Sequence, residues 1–409
     1  MVSTRRNTNK TQETSISSAS NRDEVPSASN LRIALFSGNY NYVKDGANQA
    51  LNKLVAFLEA QGAAVRVYSP TSSTPAFKPA GTLISVPSIP IPLRDEYRLA
   101  IGLPRSIIRD LDRFNPNIVH ISAPDILGQK AISYARKRSL PVVASVHTRF
   151  EKYLSYYRLG WLEKYLESKI AKVYNSCDEI FIPTPCMEDI LRDTGVIVPM
   201  KTWTRGIDLD LYSPTKRDES WRQKQGFAKD DVVITFVGRV VLEKGLDTFA
   251  DALDILIDRG VKFKTLVIGE GPKREWFTER MPHAQFLGFQ SGEDLARAYA
   301  SSDIFFNPSN TETFGNVTLE AMASGVAQVC AQACGSQFLV VDGETGYLAP
   351  HDDAPAFAEK LEMLITDKET RQKFSEASIA RGLSFNWRSV LGQVISHYQE
   401  LLSLKERAH

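Results

Sequence analysis

Apolar residues in this chain fall into short, nearly unbroken runs, each followed by a turn and then by a stretch whose apolar positions recur with helical spacing. The first series comprises Arg32-Ile-Ala-Leu-Phe36, a helical segment from Gly46 to Gln61, Ala64-Val-Arg-Val-Tyr68, Ile118-Val-His-Ile121, Pro141-Val-Val-Ala-Ser-Val146 and Glu179-Ile-Phe-Ile182. A second series follows, with Val232–Val237, Lys264–Ile268, Gln285–Phe289, Asp303–Phe306 and Val326–Ala331. Short apolar strands alternating with helices predict mainly parallel sheets covered on both faces, an α/β chain with two Rossmann-like units. Between the series, Arg205-Gly-Ile-Asp-Leu-Asp-Leu-Tyr-Ser-Pro214 has turn formers and no clear period, and marks a linker. The last amphipathic run, Trp387 to Leu402, predicts a helix.

Residues 1–30 are dominated by Ser, Thr, Asn, Arg and Glu. They lack the apolar stretch of a signal peptide and are expected to be a flexible tail. The remaining boundaries are expected at 31–206, 207–386 and 387–409. A length of 409 residues accommodates two domains with separate cores. No run of about eighteen apolar residues occurs, so any membrane contact is expected to be peripheral. The net charge of +1 offers no global field for nucleic acid. Cys177, Cys186, Cys330 and Cys334 are scattered, and no second Cys/His pair completes a zinc site around Cys330 and Cys334. All four are expected to be reduced thiols, and the protein cytoplasmic.

The chemistry-bearing segments sit on strand-to-helix turns. Gly238-Arg239 and Lys244-Gly245 leave the strand Val232–Val237, which puts two cations where an open α/β sheet binds ligands. Glu312-Thr-Phe-Gly-Asn-Val-Thr-Leu-Glu320 follows the strand Asp303–Phe306. A helix starting near Gly315 carries Glu320, leaves Glu312 in the loop before it, and offers free N–H groups at Phe314, Gly315 and Asn316 to a diphosphate. Carboxylates accept hydrogen bonds from vicinal hydroxyls, so the pair suits a hexose and a ribose.

The segments Gly238-Arg239…Glu243-Lys244-Gly245, Gly269-Glu-Gly271-Pro272 and Glu312-Thr-Phe-Gly315…Glu320-Ala-Met-Ala-Ser-Gly325 together resemble the family 4 retaining glycosyltransferases. The resemblance runs from about Leu31 to the C-terminal helix. It implies the GT-B architecture: two facing Rossmann-like domains, an N-terminal acceptor domain and a C-terminal donor domain, with the last helix crossing back to the first. It assigns Arg239 and Lys244 to the donor diphosphate, Glu312 to the sugar hydroxyls and Glu320 to the ribose. Gly238, Phe314, Gly315 and Asn316 would line the donor site, and Thr318 would touch a phosphate oxygen. Gly46, in Asp45-Gly46-Ala47 after the first strand, matches the loop that approaches donor phosphate and acceptor. His147, in Ala144-Ser-Val-His-Thr-Arg-Phe150, would contact the donor sugar; His120 also ends a strand and competes with it.

Such enzymes need no metal, cations standing in for it, and no cofactor beyond the nucleotide sugar as co-substrate. Asp208-Leu-Asp210, a pair that elsewhere holds a divalent ion, lies in the linker and is read as structural. Retention of configuration follows from the resemblance alone, and no carboxylate stands out as a nucleophile. The phrases around His147 and Val86-Pro-Ser-Ile-Pro-Ile-Pro-Leu93 resemble the branch containing bacterial mannosyltransferases and sulfolipid synthases, which implies a lipid acceptor such as diacylglycerol or ceramide. Prolines exclude helix or central strand from that loop. Leu154, Tyr157, Trp161 and Tyr165 form one helical stripe, expected to cover the domain core in preference to a membrane interface; Leu162, Leu166, Ile170 and Val173 form another that faces the core. Where relatives have Gly-Gly-Pro after the second glutamate, this chain has Cys334-Gly-Ser-Gln337. A soluble glycan or small-glycoside transferase, a nucleotide-sugar epimerase and a noncatalytic nucleotide-sugar binder remain as alternatives.

Overall fold

A computed structural model describes residues 25–42, 46–91, 94–147, 161 and 163–407. The strands are β1 (Arg32–Phe36), β2 (Ala64–Ser69), β3 (Thr82–Ser85), β4 (Ser88–Ile91), β5 (Arg94–Ala100), β6 (Ile118–Ile121), β7 (Val142–Ser145), β8 (Glu179–Ile182), β9 (Met200–Thr202), β10 (Val233–Val237), β11 (Lys264–Ile268), β12 (Gln285–Gly288), β13 (Ile304–Asn307), β14 (Ala327–Ala331) and β15 (Gly346–Ala349). They form a parallel seven-stranded sheet, β3-β2-β1-β6-β7-β8-β9, and a parallel six-stranded sheet, β12-β11-β10-β13-β14-β15. β6, β7, β8, β10, β13 and β14 are buried at every position, as expected of strands covered by helices on both faces. This is the GT-B arrangement that the sequence predicts.

Each sheet reverses its strand order once, between β1 and β6 in the first and between β10 and β13 in the second. Loops leaving adjacent strands at such a reversal diverge to opposite faces and open a crevice at the C-terminal edge. The turn carrying Arg239 and Lys244 leaves β10, the loop carrying Glu312 leaves β13, and the segment ending at Gly46 leaves β1.

The C-terminal helix, Trp387–Arg407, buries Val390, Leu391, Val394, Ile395, Tyr398 and Leu401. Their three- and four-residue spacing makes one apolar face, which packs with Leu31, Ile33, Leu35, Leu54 and Leu58 of the first domain. The chain therefore crosses back after completing the second sheet.

Two departures from expectation occur here. Residues 25–30 belong to the folded body: Ala28 is fully buried, its N–H donates to the Gln61 carbonyl at 2.8 Å, and Gln399 Nε2 donates to the Ser27 carbonyl at 2.7 Å. The polar composition of the whole segment obscured one small apolar residue with a socket. The proline-bearing stretch is no irregular loop, because β4 and β5 pair antiparallel as a ribbon outside both large sheets. A two-stranded ribbon tolerates proline where a central strand does not.

Candidate active site

Lys244 and Glu312 meet across the crevice of the second domain, with Lys244 Nζ 2.6 Å from Glu312 Oε1. Their loops are fastened together, Thr311 Oγ1 and Ser309 Oγ both donating to the Glu243 carbonyl at 3.3 and 3.5 Å. Arg239 stands out from the same turn with its side chain 61% exposed and only a loose 3.6 Å contact with Glu243, so its guanidinium is free to turn to a ligand.

The Gly269-Glu-Gly-Pro272 motif supports this turn from below. A Cβ on Gly269 would run into the Gly238 carbonyl, and one on Gly271 into the Val240 carbonyl. The Gly238 N–H donates to the Ile268 carbonyl and the Val240 N–H to the Glu270 carbonyl. Glycine at these positions lets the β11 loop lie against the backbone that holds Arg239.

The helix Asn316–Ala323 begins at Gly315, whose φ of +91° is a left-handed conformation suited to glycine. No side chain caps its first turn, so its N-terminal dipole is left for an anion. Glu320 lies one turn on and is partly buried. Its carboxylate accepts from the Tyr299 hydroxyl at 3.1 Å and is hydrogen-bonded by Tyr212; burial pushes its pKa up to about 7. Phe314 packs its ring on Phe338 and Phe385, which leaves only its backbone for a ligand. Thr318 is fully buried, with its hydroxyl facing Asn307 and Cys330. Its hydroxyl also lies against the helix start, where a Cβ on Gly315 would come within 3.3 Å of Thr318 Oγ1.

The first domain closes on this site. A Cβ on Gly46 would meet the Asn316 amide, so the first-domain loop faces the start of the donor-side helix. Thr313 Oγ1 donates to the His147 carbonyl at 3.2 Å, and Thr184 Oγ1 to the Thr313 carbonyl at 3.2 Å. His147 is thus beside the Glu312 loop, partly buried, with Nε2 2.8 Å from Ser145 Oγ and Nδ1 2.6 Å from an Arg205 guanidinium nitrogen. Burial and the neighbouring Arg205 hold its pKa well below the usual histidine range. His120 is fully buried between Tyr398 and Ser145, a structural histidine held neutral by burial.

Cys186 and Cys334 are joined by a disulfide, their Cα atoms 5.8 Å apart. This corrects the expectation of four reduced thiols. Each cysteine opens a short helix, Cys186–Asp193 and Cys334–Leu339, on facing sides of the domain junction. Their separation of 148 positions conceals that contact in the sequence. The divergent Cys334-Gly335 turn also lies directly on the site: the Gly335 N–H donates to the Glu312 carbonyl at 2.9 Å. Cys177 and Cys330 are buried free thiols, with pKa values pushed up to about 12.

Asp208 Oδ1 accepts from the Leu211 N–H at 3.1 Å, closing a turn of the linker. No group of three or more His, Cys, Asp or Glu suited to a metal ion occurs among the described residues. Leu154, Tyr157 and Leu162 lie outside the described residues. Trp161 and Tyr165 are 77% and 62% exposed, contrary to the core placement expected for their stripe, while Ile170 and Val173 pack on the core. Sequence reasoning missed Arg205 and Thr313; Arg205 had been read only as the start of the linker.

Two parallel α/β domains that face each other over a cation, a glutamate pair and an open helix N-terminus define a glycosyltransferase of the GT-B class that uses a nucleotide sugar. Residues 44–211 match Glycosyltransferase Family 4 and residues 217–381 match Glycosyl transferases group 1. The sulfoquinovosyl transferase of Arabidopsis thaliana is 30% identical over 375 residues, 89% of this chain and 72% of that one. A GDP-mannose-dependent alpha-mannosyltransferase of Corynebacterium glutamicum is 30% identical over 328 residues, 80% and 77% of the two chains. An alpha-monoglucosyldiacylglycerol synthase of Streptococcus pneumoniae is 26% identical over 348 residues, 81% and 78%. Among solved structures, the sucrose-phosphate synthase of Thermosynechococcus elongatus superposes with a TM-score of 0.73 at 20% identity, covering 91% of this chain and 99% of its own. The chain belongs to glycosyltransferase family 4.

Proposed function

We propose that the protein transfers a hexose or related sugar, with retention of anomeric configuration, from a UDP- or GDP-linked donor to a hydroxyl group of a membrane lipid such as diacylglycerol or ceramide. The observation that carries the donor half is the Lys244–Glu312 pair beside the uncapped start of the helix Asn316–Ala323. The diphosphate lies over that helix start, held by Lys244 and by Arg239. Glu312 then takes the sugar hydroxyls and Glu320 the ribose.

In the reaction the bond from C1 to the phosphate oxygen breaks and a bond from C1 to the acceptor oxygen forms on the same face. The acceptor proton passes to the departing diphosphate. Negative charge grows on the diphosphate, where preorganised cations act with an effect of roughly 3–4 kcal/mol per contact by analogy with single oxyanion donors. His147 lies against the donor sugar. No metal is assigned to the reaction, since Arg239 and Lys244 supply the positive charge.

The lipid half rests on exposed apolar side chains of the first domain. Ile89 on β4 and Ile101 just after β5 are 50% and 61% exposed, and Trp161 and Tyr165 stand out near Lys164 and Lys169. Aromatic and basic residues together suit a membrane interface, and one relative is named for a diacylglycerol product. No helix among the described residues is long and apolar enough to cross a membrane. We infer peripheral action, at the cytoplasmic face where a nucleotide-sugar pool is met.

The test is a thermal-shift screen of UDP, GDP and their hexose conjugates, with and without EDTA, on the unaltered protein and Glu320→Ala. It is followed by transfer assays on diacylglycerol and ceramide vesicles. A chelator-insensitive shift with one nucleotide family, lost in the variant, and product on vesicles support the reading. Transfer only to a soluble acceptor, with no vesicle binding, removes the lipid half; no nucleotide shift removes the donor half.

A further inference from the structure

Arg205 is buried, and among the described residues no carboxylate pairs with it. Its guanidinium lies over the Trp203 ring and donates to the Trp203 and Thr204 carbonyls and to His147 Nδ1. A guanidinium has donors and no acceptor. His147 Nδ1 must therefore be unprotonated, and a neutral ring then carries its proton on Nε2, which donates to Ser145 Oγ. The Ser145 hydroxyl in turn contacts His120 Nε2 at 3.0 Å, and His120 Nδ1 the Tyr398 hydroxyl at 2.6 Å. Turning the His147 ring over would abandon both contacts, so the orientation is set by the partners.

One donor-only group thus fixes the direction of both hydrogen bonds of the His147 ring, from the interdomain linker to Ser145 at the end of β7. We propose that Arg205 is a positioning residue of the transfer reaction, holding His147 as the neutral Nε2–H tautomer and keeping an unneutralised positive charge under the cleft. The proposal deepens the transferase reading of the same site and rests on it for its kinetic part. The Nδ1–H tautomer, or an imidazolium, would set a ring N–H against an Arg205 N–H and repel the ring from its seat beside the Glu312 loop. Among the described residues, the charged or titratable groups facing His147 are Arg205 from the linker and His120 from β6. Ser145 and the Trp203 ring complete the wall.

The first readout needs no substrate. Long-range nitrogen–proton NMR of isotope-labelled protein, with His147 assigned through His147→Asn, reports which ring nitrogen is protonated. The proposal requires Nδ1 bare and Nε2 protonated throughout about pH 5.5 to 8. A protonated Nδ1 in the unaltered protein overturns it. The second readout is kinetic, using Arg205→Met, which removes donor and charge, and Arg205→Lys, which keeps both. We expect Arg205→Met to lower kcat about 10- to 100-fold, by analogy with loss of the partners that orient metal-binding histidines, with less than about a threefold change in donor KM. It should also introduce an ionisation near pH 6.5 as His147 becomes free to take a proton, and Arg205→Lys should recover most of kcat.

A folded Arg205→Met with unchanged kcat and an unchanged pH profile overturns the proposal. Should that variant fail to fold, Arg205→Gln, which keeps an N–H donor without the charge, takes its place: full activity there overturns the role of the charge. Absence of any sugar transfer together with the stated tautomer counts against the transferase reading and leaves the Arg205–His147 relation standing.

Discussion

Lys244 Nζ sits 2.6 Å from Glu312 Oε1, with the two side chains 20% and 12% exposed. The pair links the turn after β10 to the loop after β13, so each residue holds the other in the crevice before any donor arrives. Both groups then have two partners to satisfy, each other and the ligand. Lys244→Ala should lower kcat about 100- to 1,000-fold, the range for losing one preorganised charge-stabilising donor. Glu312→Gln should weaken donor binding. The double variant should fall short of the product of the single effects, because residues in direct contact do not act additively. Steady-state kinetics on the four proteins of the cycle measures this, and strict additivity would mean that the two side chains work independently.

Glu320 gives a pH signature in stability. Its carboxyl has a pKa of about 7 in the folded protein against an ordinary value of 4.5, so between these values the native state holds a proton that the unfolded chain releases. This contribution is fully present below pH 4.5 and is lost as pH rises through 7. Glu320→Gln carries no such dependence. Its stability relative to the unaltered protein should therefore increase from pH 4.5 to 8, by on the order of 3 kcal/mol at 1.36 kcal/mol per pKa unit. Urea unfolding of both proteins at the two pH values is the measurement, and parallel curves would show that burial leaves this carboxyl unshifted.

Gly269 and Gly260 are both at positive φ, +137° and +73°, yet their surroundings differ. A Cβ on Gly260 meets open space, whereas one on Gly269 strikes the Gly238 carbonyl under Arg239. Gly260→Ala should cost about 1 kcal/mol from backbone strain alone. Gly269→Ala should cost more and also reduce donor affinity, because the turn bearing Arg239 has to move. Denaturant melts combined with nucleotide titration of the two variants separate the contributions.

Much of this was legible in the sequence because it is local. The runs at Arg32–Phe36, Ile118–Ile121, Glu179–Ile182 and Lys264–Ile268 are strands with those bounds, since a parallel strand covered on both faces is mostly apolar along its buried stretch. The helix start at Gly315 was legible because glycine there meets a conformational requirement. What escaped was long-range or directional. Nothing near Glu320 in the chain announces Tyr212 and Tyr299, and nothing around Arg205 points to a histidine 58 positions earlier. Helical periodicity placed Thr318 one turn past Gly315 but could not show that its side chain is fully buried and held by Asn307. Trp161 and Tyr165 were misjudged toward the core, an apolar stripe being as compatible with a surface as with an interior.

The disulfide between Cys186 and Cys334 ties the two domains at the edge of the cleft, next to the Glu312 loop. It closes a long loop, 148 residues in sequence, and such a closure restricts the unfolded chain by an amount that grows slowly with loop length. Cys186→Ser/Cys334→Ser should lower stability by about 2–4 kcal/mol, and reductant should lower the unaltered protein to the same level while leaving the variant unchanged. The bond also opposes separation of the domains, which donor entry and product release require in a cleft enzyme. Reduction should accordingly accelerate nucleotide exchange while decreasing thermal stability. Peptide mapping of unreduced protein establishes the bond, and stopped-flow nucleotide release with and without reductant tests its effect. Equal release rates in a protein shown to carry the bond would mean that the domains part about a hinge that leaves Cys186 and Cys334 together.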